Sequence, residues 1–285
     1  MMLLLRKAQL FTQIIFKQDL VNFLKKYIFI LLIFISVSFT QGDKKAQVEI
    51  ISPLDFFTID NLGNIYTVKN DELVKFFTNG KFFARYSNLK LGKIASIDAT
   101  NPLKIILYYR DFQTIVFLDN QLSANSEAVL LDALGLEQSE LACAGSNNSF
   151  WIYNKQNNEL IRFNENLKKV TATGNLKQIL KTDLTPNYMI EHNGFLFLNC
   201  PNNGIFVFDM FGSYSKLIAI KELKEFSVNE KAIYYKKDSV FCSYNLKDFE
   251  EICKPLINNK FILGVKYINK KIYFGYKDSL VIKTL

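Results

Sequence analysis

Histidine is nearly absent from this chain of 285 residues, in which His192 is the single one. A metal site built from several histidines is therefore excluded, and a Ser-His-Asp triad would have only one candidate base. The sequence also lacks a G-x-S-x-G nucleophile motif, a P-loop, a G-x-G-x-x-G motif and EF-hand spacing. We interpret His192 as a residue of a turn or of a central channel, and the sequence predicts no catalytic residue and no cofactor site.

Cysteine is scarce too, with four residues and no C-x-x-C pair, so a dense disulfide framework is excluded. One pair is nevertheless suggestive. If residues 246–249 form a hairpin loop, Asn245 faces Glu250, and counting outward places Cys242 opposite Cys253. Facing strand positions have separations compatible with a disulfide, and two small thiols packed in a sheet are the alternative.

Blocks of basic residues are missing, although the formal net charge is +8. Five basic residues and one acidic residue fall in the first forty, which leaves +4 for the rest of the chain. There, Lys and Arg alternate with Asp and Glu. This pattern predicts no nucleic-acid partner.

A long apolar run is also missing. Residues 27–37 are apolar, follow Lys25 and Lys26, and precede Ser38 and Thr40, which are small residues at the positions a signal peptidase requires. The run is shorter than the roughly 20 residues of a membrane-spanning helix. We predict an N-terminal extension and signal peptide in residues 1–40, and export to the periplasm or outer membrane, with membrane contact only through the leader or a partner.

What the sequence has in abundance is a repeat. An apolar strand, an Asn-containing turn, an aromatic strand, a polar turn and a third apolar strand recur six times. The turn residues are Asn61, Asn101, Asn147, Asn193, Asn229 and Asn269. Their spacing of roughly 36 to 46 residues is typical of four-stranded propeller blades, and connections this short require antiparallel neighbours.

Five copies have a fourth strand and the sixth does not. The apolar segment 47–52, ahead of the first copy, has the length and composition to supply it, which would close the ring and hide its edges. The sequence therefore predicts one all-β domain over residues 41–285, a six-bladed β-propeller of four-stranded antiparallel blades closed by strand 47–52. Five or seven blades are the alternatives.

Two copies carry a family resemblance in residue detail. Ile59-Asp60-Asn61-Leu62-Gly63-Asn64-Ile65-Tyr66 and Gly204-Ile205-Phe206-Val207-Phe208-Asp209, with Phe211-Gly212-Ser213, resemble the NHL-type propeller repeat. The resemblance implies a six-bladed propeller of the NHL or TolB-like kind. It implies little about activity, because one fold hosts many functions.

Some six-bladed propellers, such as the gluconolactonase group, hold calcium in the channel through acidic residues of the inner strands. Candidate ligands here are Asp60, Asp98, Glu191 and Glu230. These residues lie next to turns, where acidic side chains are commonly just solvated, and we predict no metal site. A calcium-dependent propeller hydrolase or lyase is the alternative function.

The predicted turn Arg110-Asp111-Phe112 combines two charges with an aromatic side chain and is a candidate interaction tip, or else a single exposed Phe. Without motifs for catalysis, the sequence favours an exported, non-catalytic propeller that binds an envelope protein as a scaffold. A sugar- or peptidoglycan-binding module is a further alternative, suggested only by the abundant aromatic residues.

Overall fold

The computed structural model describes residues 47–124, 126–256 and 261–284. Within them, twenty-four strands form six antiparallel sheets of four strands each. The sheets are the blades of one ring, and the first strand of each blade lies nearest the axis, where it contacts first strands of neighbouring blades. The predicted all-β six-bladed propeller is confirmed.

The strands of the first three blades follow one another along the chain. Blade 1 comprises β2 (Phe56–Ile59), β3 (Ile65–Lys69), β4 (Glu72–Phe76) and β5 (Phe82–Ser87). Blade 2 comprises β6 (Ser96–Asp98), β7 (Ile105–Tyr109), β8 (Thr114–Leu118) and β9 (Val129–Leu130). Blade 3 comprises β10 (Ser139–Ala144), β11 (Phe150–Asn154), β12 (Glu159–Phe163) and β13 (Lys169–Ala172).

The last three blades repeat this order except at the final strand. Blade 4 comprises β14 (Tyr188–His192), β15 (Phe195–Cys200), β16 (Gly204–Asp209) and β17 (Tyr214–Ile218). Blade 5 comprises β18 (Phe226–Val228), β19 (Ala232–Lys237), β20 (Val240–Asn245) and β21 (Glu251–Pro255). Blade 6 comprises β22 (Gly264–Ile268), β23 (Lys271–Gly275), β24 (Ser279–Thr284) and β1 (Gln47–Ile51).

Strand β1 closes the ring, as the sequence predicted. It pairs antiparallel with β24, with Val48 opposite Ile282 and Ile50 opposite Leu280. Ile50 is 4% exposed and its neighbour Ile51 is 77% exposed, because successive side chains of a strand point to opposite faces. The predicted domain limits at residue 41 and the leader in residues 1–40 lie outside the described residues and stay predictions.

Turn chemistry explains why the hairpins form where they do. Asn147, Asn193 and Asn269 have φ of 56°, 50° and 52°, in the left-handed region that Asn tolerates better than most residues. In the third-to-fourth-strand turn of blade 4, the Asp209 carboxylate accepts the backbone N–H groups of Phe211 and Ser213. These residue types therefore fix the hairpin lengths and, with them, the blade register.

Two connections depart from plain hairpins. The outer strand of blade 2 is limited to Val129–Leu130, with one isolated bridge between Leu118 and Ala124. Between blades 3 and 4 lies helix α1 (Leu176–Leu180), which begins after Asn175, whose side chain accepts the N–H of Gln178. Among the described residues, no helix is long and apolar enough to cross a membrane.

The ring has two faces that differ in their loops. Turns joining strands 1 to 2 and 3 to 4 of the blades form what we term the hairpin face, where Asn269 of blade 6 donates to the Asn61 carbonyl of blade 1 at 3.0 Å. Turns joining strands 2 to 3 and the links between blades form the connection face. There the Tyr108 hydroxyl of blade 2 donates to the Ser139 carbonyl of blade 3 at 2.6 Å.

The hydrophobic core is divided among the gaps between neighbouring blades. One cluster combines Trp151 of blade 3 with Phe208 of blade 4, and another combines Tyr273 of blade 6 with Phe57 of blade 1. Because each blade is buried on both faces by its neighbours, the middle strands are apolar almost throughout. Polar side chains that could contact a ligand are therefore found mainly at the axis and on the two faces.

Candidate functional site: the axial cavity

A cavity of about 570 Å³ follows the axis of the propeller. All six blades contribute an apolar residue from their first strand to its wall. These residues are Ile59, Ile97, Leu141, Met189, Val228 and Ile268. The cavity is therefore a product of ring closure.

The hairpin-face end of the cavity is polar. Blades 5 and 6 supply Asn229, Lys231 and Lys270, all of which line this end. The Asn229 side chain accepts the N–H groups of Lys231 and Ala232, both at 2.9 Å, which holds the turn of blade 5. Lys231 and Lys270 are both exposed.

Aromatic side chains form part of the wall on the side of blades 4, 5 and 6. The ring centroids of Tyr234 on β19 and Tyr267 on β22 lie 4.0 Å apart with an interplanar angle of 38°. Tyr188 and Phe226 form a second pair, with centroids 5.1 Å apart in an edge-to-face arrangement. All four line the cavity.

Lys266 is a buried cation in the same wall. Its side chain is 5% exposed, and its Nζ lies 2.6 Å from a carboxylate oxygen of Glu225. Burial alone would lower the pKa of Lys266, but the Glu225 carboxylate and the Tyr188 hydroxyl raise it above the ordinary lysine value. Burial raises the pKa of Tyr188 to about 12, so at neutral pH the lysine is charged and the tyrosine is not. Gly264 leaves space for Glu225, since a Cβ there would collide with the carboxylate.

His192, at the end of β14, also lines the cavity. Its Nε2 is buried and has no hydrogen-bond partner among the described residues. Burial lowers the pKa of His192, and the Glu230 carboxylate partly offsets this effect. The imidazole is therefore neutral at neutral pH.

The four carboxylates considered as calcium ligands are not brought together. Asp60 accepts the N–H groups of Leu62 and Asn64 and the hydroxyl of Tyr66, all within its own blade. It is fully buried and does not line the cavity. Its oxygens are therefore committed to the first turn of blade 1.

Asp98 and Glu191 instead join neighbouring blades. Asp98 of blade 2 accepts the N–H of Ala144 in blade 3 at 2.9 Å. Glu191 of blade 4 accepts the N–H of Ser146 in blade 3 at 2.7 Å and the indole N–H of Trp151. Carboxylates satisfied by N–H donors are poor cation ligands, since the donors carry positive charge toward the same oxygens.

Glu230 and Asp98 both line the cavity, but neither belongs to a cluster of three or more ligating side chains among the described residues. Within the described ranges, the one cluster of metal-ligating side chains is Cys242, Glu251 and Cys253. It lies in the outer part of blade 5. The donor geometry around the axis therefore gives no support to the calcium-dependent alternative.

The candidate interaction tip forms a 3₁₀ turn at Arg110–Phe112 on the connection face. Phe112 is 55% exposed, whereas Arg110 lines the cavity and donates from Nε to the Glu140 carbonyl of blade 3 at 3.3 Å. Gln113 fixes the turn, because its side chain accepts the Ser139 N–H at 2.7 Å and donates to the Ser139 carbonyl at 3.0 Å. Of the three predicted tip residues, Arg110 lines the axial cavity, whereas Asp111 and Phe112 do not.

The cysteines fall into two groups. Cys242 on β20 and Cys253 on β21 face each other and are joined by a disulfide. Cys143 and Cys200 are free and buried, and burial raises the pKa of both thiols, which makes them weak nucleophiles.

Sequence reasoning missed the Lys266–Glu225 pair and the Tyr234–Tyr267 pair. A signal for the first was present, because Lys266 is a charged residue inside an otherwise apolar first strand, and such a lysine needs a partner when buried. The second was hidden, since the two tyrosines come from different blades.

Similarity to known proteins is visible in structure and not in sequence. No protein-family model and no curated protein sequence matches this chain. Among solved structures, a streptogramin B lyase aligns with TM-score 0.56 at 16% identity, covering 79% of this chain and 77% of that one. A catalytically inactive variant of virginiamycin B lyase from Staphylococcus aureus with quinupristin aligns with TM-score 0.56 at 15% identity, covering 80% and 79%. The Neurospora crassa Pan2 WD40 domain aligns with TM-score 0.57 at 8% identity, covering 82% and 80%.

These likenesses define the class as a β-propeller and correct one prediction. The absence of familiar catalytic motifs predicted that the chain is not an enzyme. That prediction is contradicted by the lyases, which have the same fold at similar coverage. A propeller of this kind supports catalysis as well as binding, so activity must be argued from the residues of the cavity.

Proposed function

We propose that this protein is a ligand-binding β-propeller that holds a small organic molecule in its axial cavity. The observation that carries the proposal is the convergence of all six blades on one cavity of about 570 Å³ with apolar walls and polar ends. Its volume falls within the roughly 300 to 1,000 Å³ of typical small-molecule sites, in which a few polar groups orient a mostly apolar contact surface.

The proposal is tested by blocking the cavity. Ser96 lines it, is half-buried, and makes no side-chain hydrogen bond within the described residues, so Ser96→Trp should fill space without removing a structural contact. Ser215→Trp, on the exposed outer strand of blade 4, is the matched control. A small-molecule library is screened by thermal shift against the full chain and both variants. We expect stabilising compounds that lose their effect only with Ser96→Trp; compounds that act equally on all three proteins, or none at all, would refute the proposal.

Acid–base catalysis on the bound molecule is a second candidate function, favoured by His192. This neutral imidazole belongs to a residue that lines the cavity, and in virginiamycin B lyase the change of one histidine to alanine gives a catalytically inactive protein. Compounds that bind in the cavity are incubated with the protein and with His192→Gln and analysed by mass spectrometry. Product formed by the original chain alone supports catalysis, and unchanged compounds in both samples argue against it.

We further propose that the propeller is of the NHL or TolB-like kind, is exported to the periplasm or outer membrane, and has an envelope protein as a partner. The leader-like sequence and the Cys242–Cys253 disulfide support export, since disulfides persist mainly outside the cytosol. Leu103 and Phe211 are both exposed in turns of the hairpin face and are candidate contact residues for such a partner. Cell fractionation and N-terminal sequencing test export: a protein that keeps its first 40 residues in the cytosol would refute it.

A further inference from the structure

The charges of the axial cavity are unbalanced. Four cationic side chains line it, namely Arg110, Lys231, Lys266 and Lys270, against the two carboxylates Asp98 and Glu230. Lys266 has its own carboxylate partner in Glu225. Within the described parts of the chain, no acidic side chain lies within ion-pair distance of the other three cations.

Among the described residues, neither lining carboxylate forms an ion pair with the two lysines of the hairpin face, so Glu230 reduces the excess positive charge at that end without cancelling it. Asp98 is 8% exposed, and its oxygens accept hydrogen bonds from the backbone of Thr100 and Ala144. Glu230 interacts with His192, on the side of blade 4. Lys231 and Lys270, at the ends of turns in blades 5 and 6, thus leave positive charge at one end of the cavity.

The same two blades supply the closest aromatic pair. Tyr234 follows Lys231 by three residues on β19, and Tyr267 precedes Lys270 by three residues on β22. Their rings are in contact across the blade junction, with centroids 4.0 Å apart, and both line the cavity. Two cations and two aromatic rings are therefore grouped on one side of the axis.

We infer that the ligand of the axial cavity is an organic anion with a planar apolar body, whose carboxylate or phosphate lies between Lys231 and Lys270 and whose body packs against Tyr234 and Tyr267. The inference rests on the proposed function and specifies its ligand class. Apolar surface and rings contribute affinity, and the unpaired cations select for charge.

Three probes of similar size separate these contributions. The full chain is titrated calorimetrically with 2-naphthoate, with its uncharged analogue 2-naphthamide, and with the saturated decahydronaphthalene-2-carboxylate, which keeps the two-ring carbon skeleton without the aromatic rings. We expect 2-naphthoate to bind most tightly, about tenfold or more above each of the others, because only it satisfies both the cations and the rings. Phenyl phosphate added to the series distinguishes a preference for phosphate from one for carboxylate.

The paired variant Lys231→Gln/Lys270→Gln removes the two charges. Its matched control is Lys168→Gln/Lys247→Gln, two exposed lysines in other turns of the hairpin face that do not line the cavity. We expect the first pair to weaken 2-naphthoate binding about tenfold and to leave 2-naphthamide unaffected, and the control pair to change neither. Circular dichroism checks that both variants fold.

The outcomes separate the inference from the proposed function. Equal affinity for 2-naphthoate and 2-naphthamide would overturn the anion inference. Equal losses of 2-naphthoate affinity in the two double lysine variants would overturn it as well. If neither naphthalene probe binds while other neutral compounds bind and are blocked by Ser96→Trp, the inference fails and the proposed function stands. If Ser96→Trp blocks the binding of no compound, both the anion inference and the proposed function fail.

Discussion

Lys266 and Glu225 form an ion pair of 2.6 Å that connects the first strand of blade 6 to the residue just before the first strand of blade 5. The lysine side chain is 5% exposed and the glutamate side chain 25%. A charge this deeply buried depends on its partner, because removing one member leaves the other desolvated without compensation.

Removing one member of this pair should therefore destabilise the fold more than replacing both members. We expect Glu225→Gln to lower the free energy of unfolding by about 2 to 4 kcal/mol, and the double variant Lys266→Met/Glu225→Gln to recover much of that loss. Urea unfolding of the two single variants and the double variant measures the coupling. Additive single losses would show that the two side chains do not stabilise each other.

Ring closure by β1 is tested with two adjacent isoleucines. Ile50 is 4% exposed in the gap between blades 6 and 1, and Ile51 is 77% exposed on the same strand. We expect Ile50→Ala to lower the free energy of unfolding by about 2 to 4 kcal/mol, and Ile51→Ala to change it by less than about 0.5 kcal/mol. Equal effects in urea unfolding would mean that β1 does not pack as described.

The disulfide of blade 5 should stabilise the propeller. Cys242 and Cys253 are 11 positions apart in the sequence, and closing a loop of this size restricts the unfolded chain. We expect Cys242→Ser/Cys253→Ser to lower the free energy of unfolding by about 2 to 3 kcal/mol. Dithiothreitol should destabilise the original protein and have no effect on the double variant. If the original protein had the same free energy of unfolding with and without dithiothreitol, the disulfide would be contradicted.

The pH dependence of stability reports on His192. Burial lowers its pKa in the folded state, with Glu230 partly opposing the shift. The unfolded chain therefore binds a proton more readily, and this contribution to stability is present above the unfolded pKa of about 6.5 and is lost as pH falls below it.

Two substitutions isolate that contribution. Relative to the original protein, His192→Gln should lose less stability between about pH 7.5 and pH 5, because the titrating group is gone. Glu230→Gln should lose more over the same interval, since the opposing carboxylate is removed. The urea midpoint of unfolding is measured at both pH values. An identical change in midpoint in all three proteins would refute the contribution of His192 to the pH dependence.

The fold was readable from the sequence because its determinants are local. Asn147 and Asn269 mark turns by their tolerance of left-handed backbone, and counting from the turn at Asn245 gave the register of the last hairpin in blade 5. The short outer strand of blade 2 was less predictable. There the polar residues 125–127 interrupt the apolar positions, and pairing is restricted to Val129–Leu130 and an isolated bridge at Ala124.

The candidate site was largely unreadable because its residues meet only after the ring closes. Asp98 and Glu191 resemble metal ligands in sequence, yet each accepts a backbone N–H of blade 3, a partner that no single-blade pattern reveals. The contact between Tyr234 and Tyr267 likewise depends on the angle between two blades. Sequence periodicity determines which residues form a blade, and the assembled ring determines which residues share the axis.

The most direct measurement is a crystal structure of the full chain soaked with the compound that stabilises it most in the library screen. The proposed function predicts electron density for that compound on the axis, in contact with the first strands of several blades and with Tyr234 or Tyr267. Density for the compound on the turns or outer strands, with the axis holding none of it, would contradict the proposal that the cavity is the ligand site.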